Sequence, residues 1–234
     1  MLQMKMKYML KYIFSLFLIS FSIFGNAQED SIKNFPQRYG FRVGLDLHRL
    51  TKSFYDDNYK GLEIVGDYRL TQKFYIAGEL GNEEKTVDDD RFNFTTKGTY
   101  FKVGFDFNAY ENWLDMENMI YSGLRVGFSS FSHELNSYKI YDPNNYYGVT
   151  TFSPNQNFSG LSASWVEVVG GIKAELFNNV YLGFSVRLNY LISNKEPDNF
   201  ANLYIPGYNR TYDGKFGAGF NYTLSYFIPI YKKK

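Results

Sequence analysis

Every second residue from Val180 to Tyr190 is apolar (Val180, Leu182, Phe184, Val186, Leu188, Tyr190), and between them stand Tyr181, Gly183, Ser185, Arg187 and Asn189. A period of two places one set on each face of an extended strand, so this segment has a continuous apolar face and a face of glycine, polar and charged residues. The same pattern recurs in eight segments, near 39–49, 61–70, 74–81, 99–108, 120–131, 164–176, 180–190 and 215–227. An even set of such strands predicts an all-β fold: an eight-stranded antiparallel transmembrane β-barrel, apolar outside and polar inside.

The N-terminus supplies an address for such a barrel, the outer membrane of a diderm bacterium. Lys5, Lys7 and Lys11 precede the apolar run 13–24, and Gly25-Asn26-Ala27 provides small residues for cleavage. This is the form of a signal peptide, 1–27, and its apolar run is shorter than the roughly 20 residues of a spanning helix. A periplasmic N-terminal tail, 28–37, and a barrel, 38–231, are expected to follow. Cleavage removes three lysines, turning 25 basic against 24 acidic residues into 22 against 24. A balance so close to neutral argues against nucleic acid as a partner. With no cysteine, disulfides, thiolate metal sites and cysteine nucleophiles are excluded.

Connections alternate in length. Thr71-Gln72-Lys73 and Phe177-Asn178-Asn179 are tight turns, whereas the segments near 50–60, 82–98, 132–163 and 193–214 are long and polar. Ala109–Asn118 falls on the short side but is of medium length. Long loops on one side are expected to face the exterior, with both termini in the periplasm.

Alternation alone also fits a soluble lipocalin-like barrel, whose apolar face points inward. The glycines decide against it. Gly40, Gly44, Gly61, Gly81, Gly104, Gly123, Gly127, Gly171, Gly183, Gly217 and Gly219 share the polar faces. On a solvated exterior they would only weaken strands, but inside a narrow barrel they leave room for long side chains. Tyr39, Tyr68, Phe74, Phe107, Tyr190 and Tyr226, toward strand ends, match interfacial girdles. Phe220, Tyr222, Leu224, Tyr226 and Phe227 resemble the aromatic last strand that barrel-assembly machinery recognises, although the chain continues to Lys234.

Inside such a barrel, Arg42, Arg69, Lys102, Arg125, Lys173 and Arg187 would meet Asp46, Glu63, Asp67, Glu79, Asp106, Glu167 and Glu175. Unpaired charges in a narrow lumen are costly, so a packed ionic plug is favoured over a conduction path. The chemistry-bearing residues are sparse. His48 and His133 are the only histidines, expected at the outward ends of strands 1 and 5, across the barrel from one another. Ser129, Ser130 and Ser132 lie near His133, but neighbours on a strand point to opposite faces. No catalytic, cofactor-binding or metal-ligating residue is therefore assigned, no cofactor is expected, and a lipid-modifying enzyme is kept only as an alternative. The acidic run Glu83, Glu84, Asp88, Asp89 and Asp90 could take divalent cations bridging to lipopolysaccharide phosphates, though a solvated loop explains it as well. Tyr138, Tyr141, Tyr146, Tyr147 and Phe152 are either a recognition surface or a hairpin prolonging two strands. Outer-membrane lipids and lipopolysaccharide are the expected partners; any extracellular ligand is unspecified.

Several stretches stand out together: Tyr59-Lys60-Gly61, Glu63-Ile64-Val65-Gly66-Asp67-Tyr68-Arg69-Leu70, Gly78-Glu79-Leu80-Gly81-Asn82-Glu83, Glu196-Pro197-Asp198-Asn199-Phe200 and Leu203-Tyr204-Ile205-Pro206-Gly207. Over roughly 38–231 they resemble an uncharacterised family of small outer-membrane barrels of Bacteroidota, a domain of unknown function. The resemblance implies a barrel and an outer-membrane location and carries over no functional residues. The function it leaves is a non-enzymatic one, envelope integrity or surface recognition through long loops, with a narrow solute channel as the alternative.

Overall fold

In a computed structural model, residues 37–110, 117–140, 151–197, 201–209 and 214–233 are described. The expected signal peptide and nearly all of the tail lie outside them, as do Tyr141, Tyr146 and Tyr147. The strands are β1 (Gln37–Asp46), β2 (Tyr59–Arg69), β3 (Phe74–Asp88), β4 (Phe92–Asn108), β5 (Met119–Lys139), β6 (Thr151–Phe152), β7 (Gln156–Phe177), β8 (Val180–Lys195) and β9 (Phe216–Lys233). A helix, α1 (Leu47–Tyr55), joins β1 to β2. Eight strands pair antiparallel in the ring β1-β2-β3-β4-β5-β7-β8-β9, and β9 closes it on β1 from Gln37↔Lys233 to Asp46↔Thr223. Two-residue β6 adds only to the tip of β5, where the Tyr138 and Phe152 rings stack with centroids 5.5 Å apart. That contact supports the hairpin reading of the tyrosine-rich segment.

The faces are as the alternation predicts. Arg42, Arg125 and Arg187 are only 4%, 4% and 5% exposed, while Phe41, Ile64, Val103, Leu124, Phe184 and Leu224 all point outward. Glycine makes the interior possible at two clear places. A Cβ on Gly81 would run into the Tyr100 ring, and one on Gly127 into the Trp165 indole. The space vacated thus serves aromatic rings as much as the long charged side chains expected from the sequence.

Above the apolar belt the pattern inverts. Along β4 the outward residues change from Phe105, Val103 and Phe101 to Thr99, Lys97 and Thr95, while the inward ones change from Asp106 and Lys102 to Tyr100, Thr96 and Phe94. Along β5 the outward series passes from Phe128 to Ser130 and Ser132, and the inward series from Arg125 to Phe131 and Leu135. Each strand keeps its period of two, but its apolar face turns from lipid to the inside. The result is a core of the water-soluble kind at the loop end, built from Tyr100, Phe131, Leu161, Trp165, Leu191, Ile205 and Tyr208.

Three sequence expectations need correction. Residues 47–49 do not continue β1: the Asp46 carboxylate accepts from the backbone N–H of His48 and Arg49, capping α1 in place of further strand. Tyr39 is not in a lipid-facing girdle but is buried, because the ladder with β9 is irregular at Tyr39/Gly40. The segment expected as a loop near 82–98 is largely strand, as are the described parts of 132–163, and β3 and β4 are joined only across residues 89–91.

Candidate functional site

The lumen is filled by a connected set of ion pairs. Arg42 meets Asp67 at 3.3 Å, and Lys173 reaches Asp67 at 2.6 Å and Asp106 at 3.9 Å. Arg125 joins Asp106 (2.7 Å) to Glu79 (3.7 Å), and Arg187 joins Glu79 to Glu167. Lys102 contacts Glu167 (3.2 Å), Glu79 (3.3 Å) and Glu63 (3.9 Å). Arg49, carried in by α1, extends the set to Glu63 (3.5 Å), Asp46 (2.6 Å) and Glu83 (2.8 Å). Alternate positions on the ring strands, together with α1, supply these groups, so the register of the sheet fixes the pairing. The void left among Arg42, Asp67, Glu79, Arg125 and Arg187 measures ≈ 30 Å³, room for about two water molecules.

At the turn end the opening is held by a second group. Arg38 binds Glu117 (3.1 Å) and Glu175 (3.3 Å) and donates to Asn179 Oδ1 (2.8 Å). Arg69 donates to the Arg38 carbonyl (3.0 Å), and its guanidinium lies over Tyr39. Asn179 adopts the positive φ (67°) that the tight turn before β8 requires.

At the loop end the segment 201–209 folds back into the barrel mouth, with Asn202, Tyr204, Ile205, Pro206, Gly207 and Tyr208 buried. Its tip is a turn in which the Tyr208 N–H donates to the Ile205 carbonyl (3.0 Å), with Pro206 and Gly207 at its centre and Gly207 at φ +81°. That is the combination a type II turn favours. Glu83 anchors the tip, accepting from the Gly207 N–H (2.8 Å), the Tyr204 hydroxyl (3.1 Å), the Tyr59 hydroxyl (2.7 Å) and Arg49 Nε (2.8 Å). Tyr208 packs edge-on against Trp165, with ring centroids 5.7 Å apart.

The sequence does not mark Glu83 as a site residue, because it stands in an acidic run. The alternation of β3 dissolves that run: Glu83 points inward, Glu84 lies outside against Lys97 (3.4 Å), and Asp88, Asp89 and Asp90 are exposed at the hairpin tip. Among the described residues no cluster suited to a metal ion is found. The apolar run within Leu203–Gly207, inside an otherwise polar loop, is the sign of the inserted segment that the sequence offers.

The two histidines are placed separately, on α1 and on β5. His48 lies against the rings of Phe220 and Tyr222. His133, above the apolar belt, is buried between Phe94 and Phe131; its Nδ1 lies 2.6 Å from the Thr96 hydroxyl, and Asn202 of the inserted segment stands near the ring. Burial lowers its pKa to about 4, so the buried ring is neutral. Ser129 points inward with its hydroxyl near the Thr99 carbonyl, while Ser130 and Ser132 face outward.

The fold is similar to that of the attachment invasion locus protein Ail of Yersinia pestis, at 11% identity and a TM-score of 0.43, over 82% of this chain and 99% of that one. Among curated proteins none matches the sequence. The sequence profile of one family, described as a domain of unknown function (DUF6048), matches residues 8–233, and the chain belongs to that family.

Proposed function

We propose that this is an exported, non-enzymatic outer-membrane protein of a diderm bacterium, from the Bacteroidota, whose signal peptide 1–27 is cleaved. It serves envelope integrity or surface recognition through its outward end. A belt of outward apolar residues on all eight ring strands supports insertion in a bilayer, since such a surface would be untenable in water. The turn end, where β1 begins and β9 ends, then faces the periplasm, and the taller loop end faces out. Lipid and lipopolysaccharide surround the belt, and the outward stripe Phe220, Leu224 and Tyr226 of β9 is the surface offered to assembly machinery.

The observation that carries a closed, non-conducting role is the lumen: ion pairs run through it, the void among Arg42, Asp67 and Arg187 has room for about two waters, and the 201–209 segment folds into the mouth. Purified protein in planar bilayers should add no discrete conductance above the lipid baseline. Reproducible single-channel steps from folded, heat-modifiable protein would favour the solute-channel alternative and end this reading. Lipid A of unchanged mass in cells expressing the protein is the matching expectation for a non-enzyme.

A further inference from the structure

We propose that the outward mouth carries a binding pocket for a single neutral sugar unit. The proposal deepens the surface-recognition reading and rests on it. A pocket of ≈ 320 Å³ opens beside the inserted segment, along the tall wall that includes β4 and β8. This lies at the small end of the range for small-molecule sites, with room for one or two rings. Its lining combines apolar residues, Phe92, Leu191 and Leu203 among them, with a polar group, Asn194, Glu196 and Asn202, that is linked by hydrogen bonds.

The polar group is ordered by its own bonds. The Asn202 amide donates to Asn194 Oδ1 (2.6 Å) and the Lys195 carbonyl (3.0 Å), and Asn194 Nδ2 donates to Glu196 Oε1 (2.8 Å). Asn202 is itself buried. Planar amide and carboxylate groups are thus held in place without being used up. Glu196 is exposed and commits one carboxylate oxygen to Asn194, which leaves the second for a ligand hydroxyl. Pre-set polar groups need little further ordering when a ligand binds.

That mixed lining selects among ligand classes. A pyranose has a C–H face that suits a phenyl ring and a rim of hydroxyls that suits amides and a carboxylate. An acyl chain would leave the polar group unpaired, at a cost of desolvation. The Glu196 carboxylate in the lining disfavours phosphates and acids by charge repulsion. The same sugar chemistry could come from an envelope glycan or from a free one.

The test uses full-length mature protein in detergent micelles and saturation-transfer NMR. The probes are methyl glycosides of glucose, galactose and mannose, N-acetylglucosamine, and benzyltrimethylammonium as a cationic control. At least one sugar should receive saturation; Glu196→Ala should weaken it about tenfold or more, the worth of one hydrogen bond to a charged group, and Phe92→Ala about fivefold, the worth of a ring contact. Heat-modifiable mobility verifies that both variants fold. Competition by delipidated core oligosaccharide assigns the sugar to the envelope; sugar binding without such competition assigns it to a free glycan. No sugar response in the wild type, a response unchanged in both variants, or a response to the ammonium alone overturns the pocket. Conductance remains the separate measure of the closed barrel, so either reading can fail without the other.

Discussion

Replacing Glu83 by alanine should release the inserted segment while leaving the barrel folded. The side chain accepts four hydrogen bonds, and two of them, from the Tyr204 hydroxyl and the Gly207 N–H, come from the segment itself. Hydrogen bonds to a charged group contribute roughly 1.5–3 kcal/mol each, so the segment loses about 3–6 kcal/mol of docking free energy. At about 1.4 kcal/mol per tenfold, the open fraction should rise by at least about 100-fold. Arg49 retains Asp46 and Glu63, so the ionic lumen stays intact and no conductance is expected. The assay is trypsin cleavage after Lys195 and Lys215, which flank the segment, followed by mass spectrometry in detergent. Cleavage should accelerate in Glu83→Ala and less in Glu83→Gln, which keeps one acceptor oxygen. A folded Glu83→Ala barrel cleaved at the wild-type rate would refute the assignment of Glu83 as anchor.

Acid should loosen the same region. The His133 pKa is held at about 4 in the closed state against about 6.5 when exposed. Stability from this group is therefore full above about pH 6.5, declines as pH falls toward 4, and is flat below; the loss is at most about 3 kcal/mol. Thermal melting in detergent between about pH 7 and 4 should show this slope in the wild type and lose it in His133→Phe. Gly207→Val places a Cβ 2.5 Å from the Tyr100 ring at a backbone φ of +81°, so it should expose the segment to trypsin as Glu83→Ala does. Val186→Arg on the outward face of β8 should destabilise folding into bilayers by about 2–4 kcal/mol near mid-depth, with a much smaller effect for Thr99→Arg above the belt. Equal costs at the two positions, measured by urea titration in lipid, would contradict the placement of the belt.

The ring and its orientation were legible because one solvent governs each face through the belt: Val180–Tyr190 shows its strand outright. Strand lengths were not. At Thr99 and Ser130 the alternation persists but the polar residues change sides, and a pattern read for apolar exteriors ends there. The helix was obscured because Leu45 and Leu47 keep step with the strand before them, although Asp46 already stood in the capping position. Interior pairing was legible as a balance of signs, but partners such as Arg187 and Glu79, 108 residues apart, follow only from the closed ring. The mouth was least legible, since Glu83 and the 201–209 segment meet through long-range contacts that no local period records.

The reversal of faces on β4 and β5 also acts as a depth gauge. Pushing the cylinder inward by one two-residue step would carry Thr99 and Ser130 into hydrocarbon, and pulling it outward would lift Phe101 and Phe128 into water. Both displacements are uphill, so the protein is pinned at one height along the bilayer normal, and whatever its loop end carries stands at a fixed distance from the lipid surface.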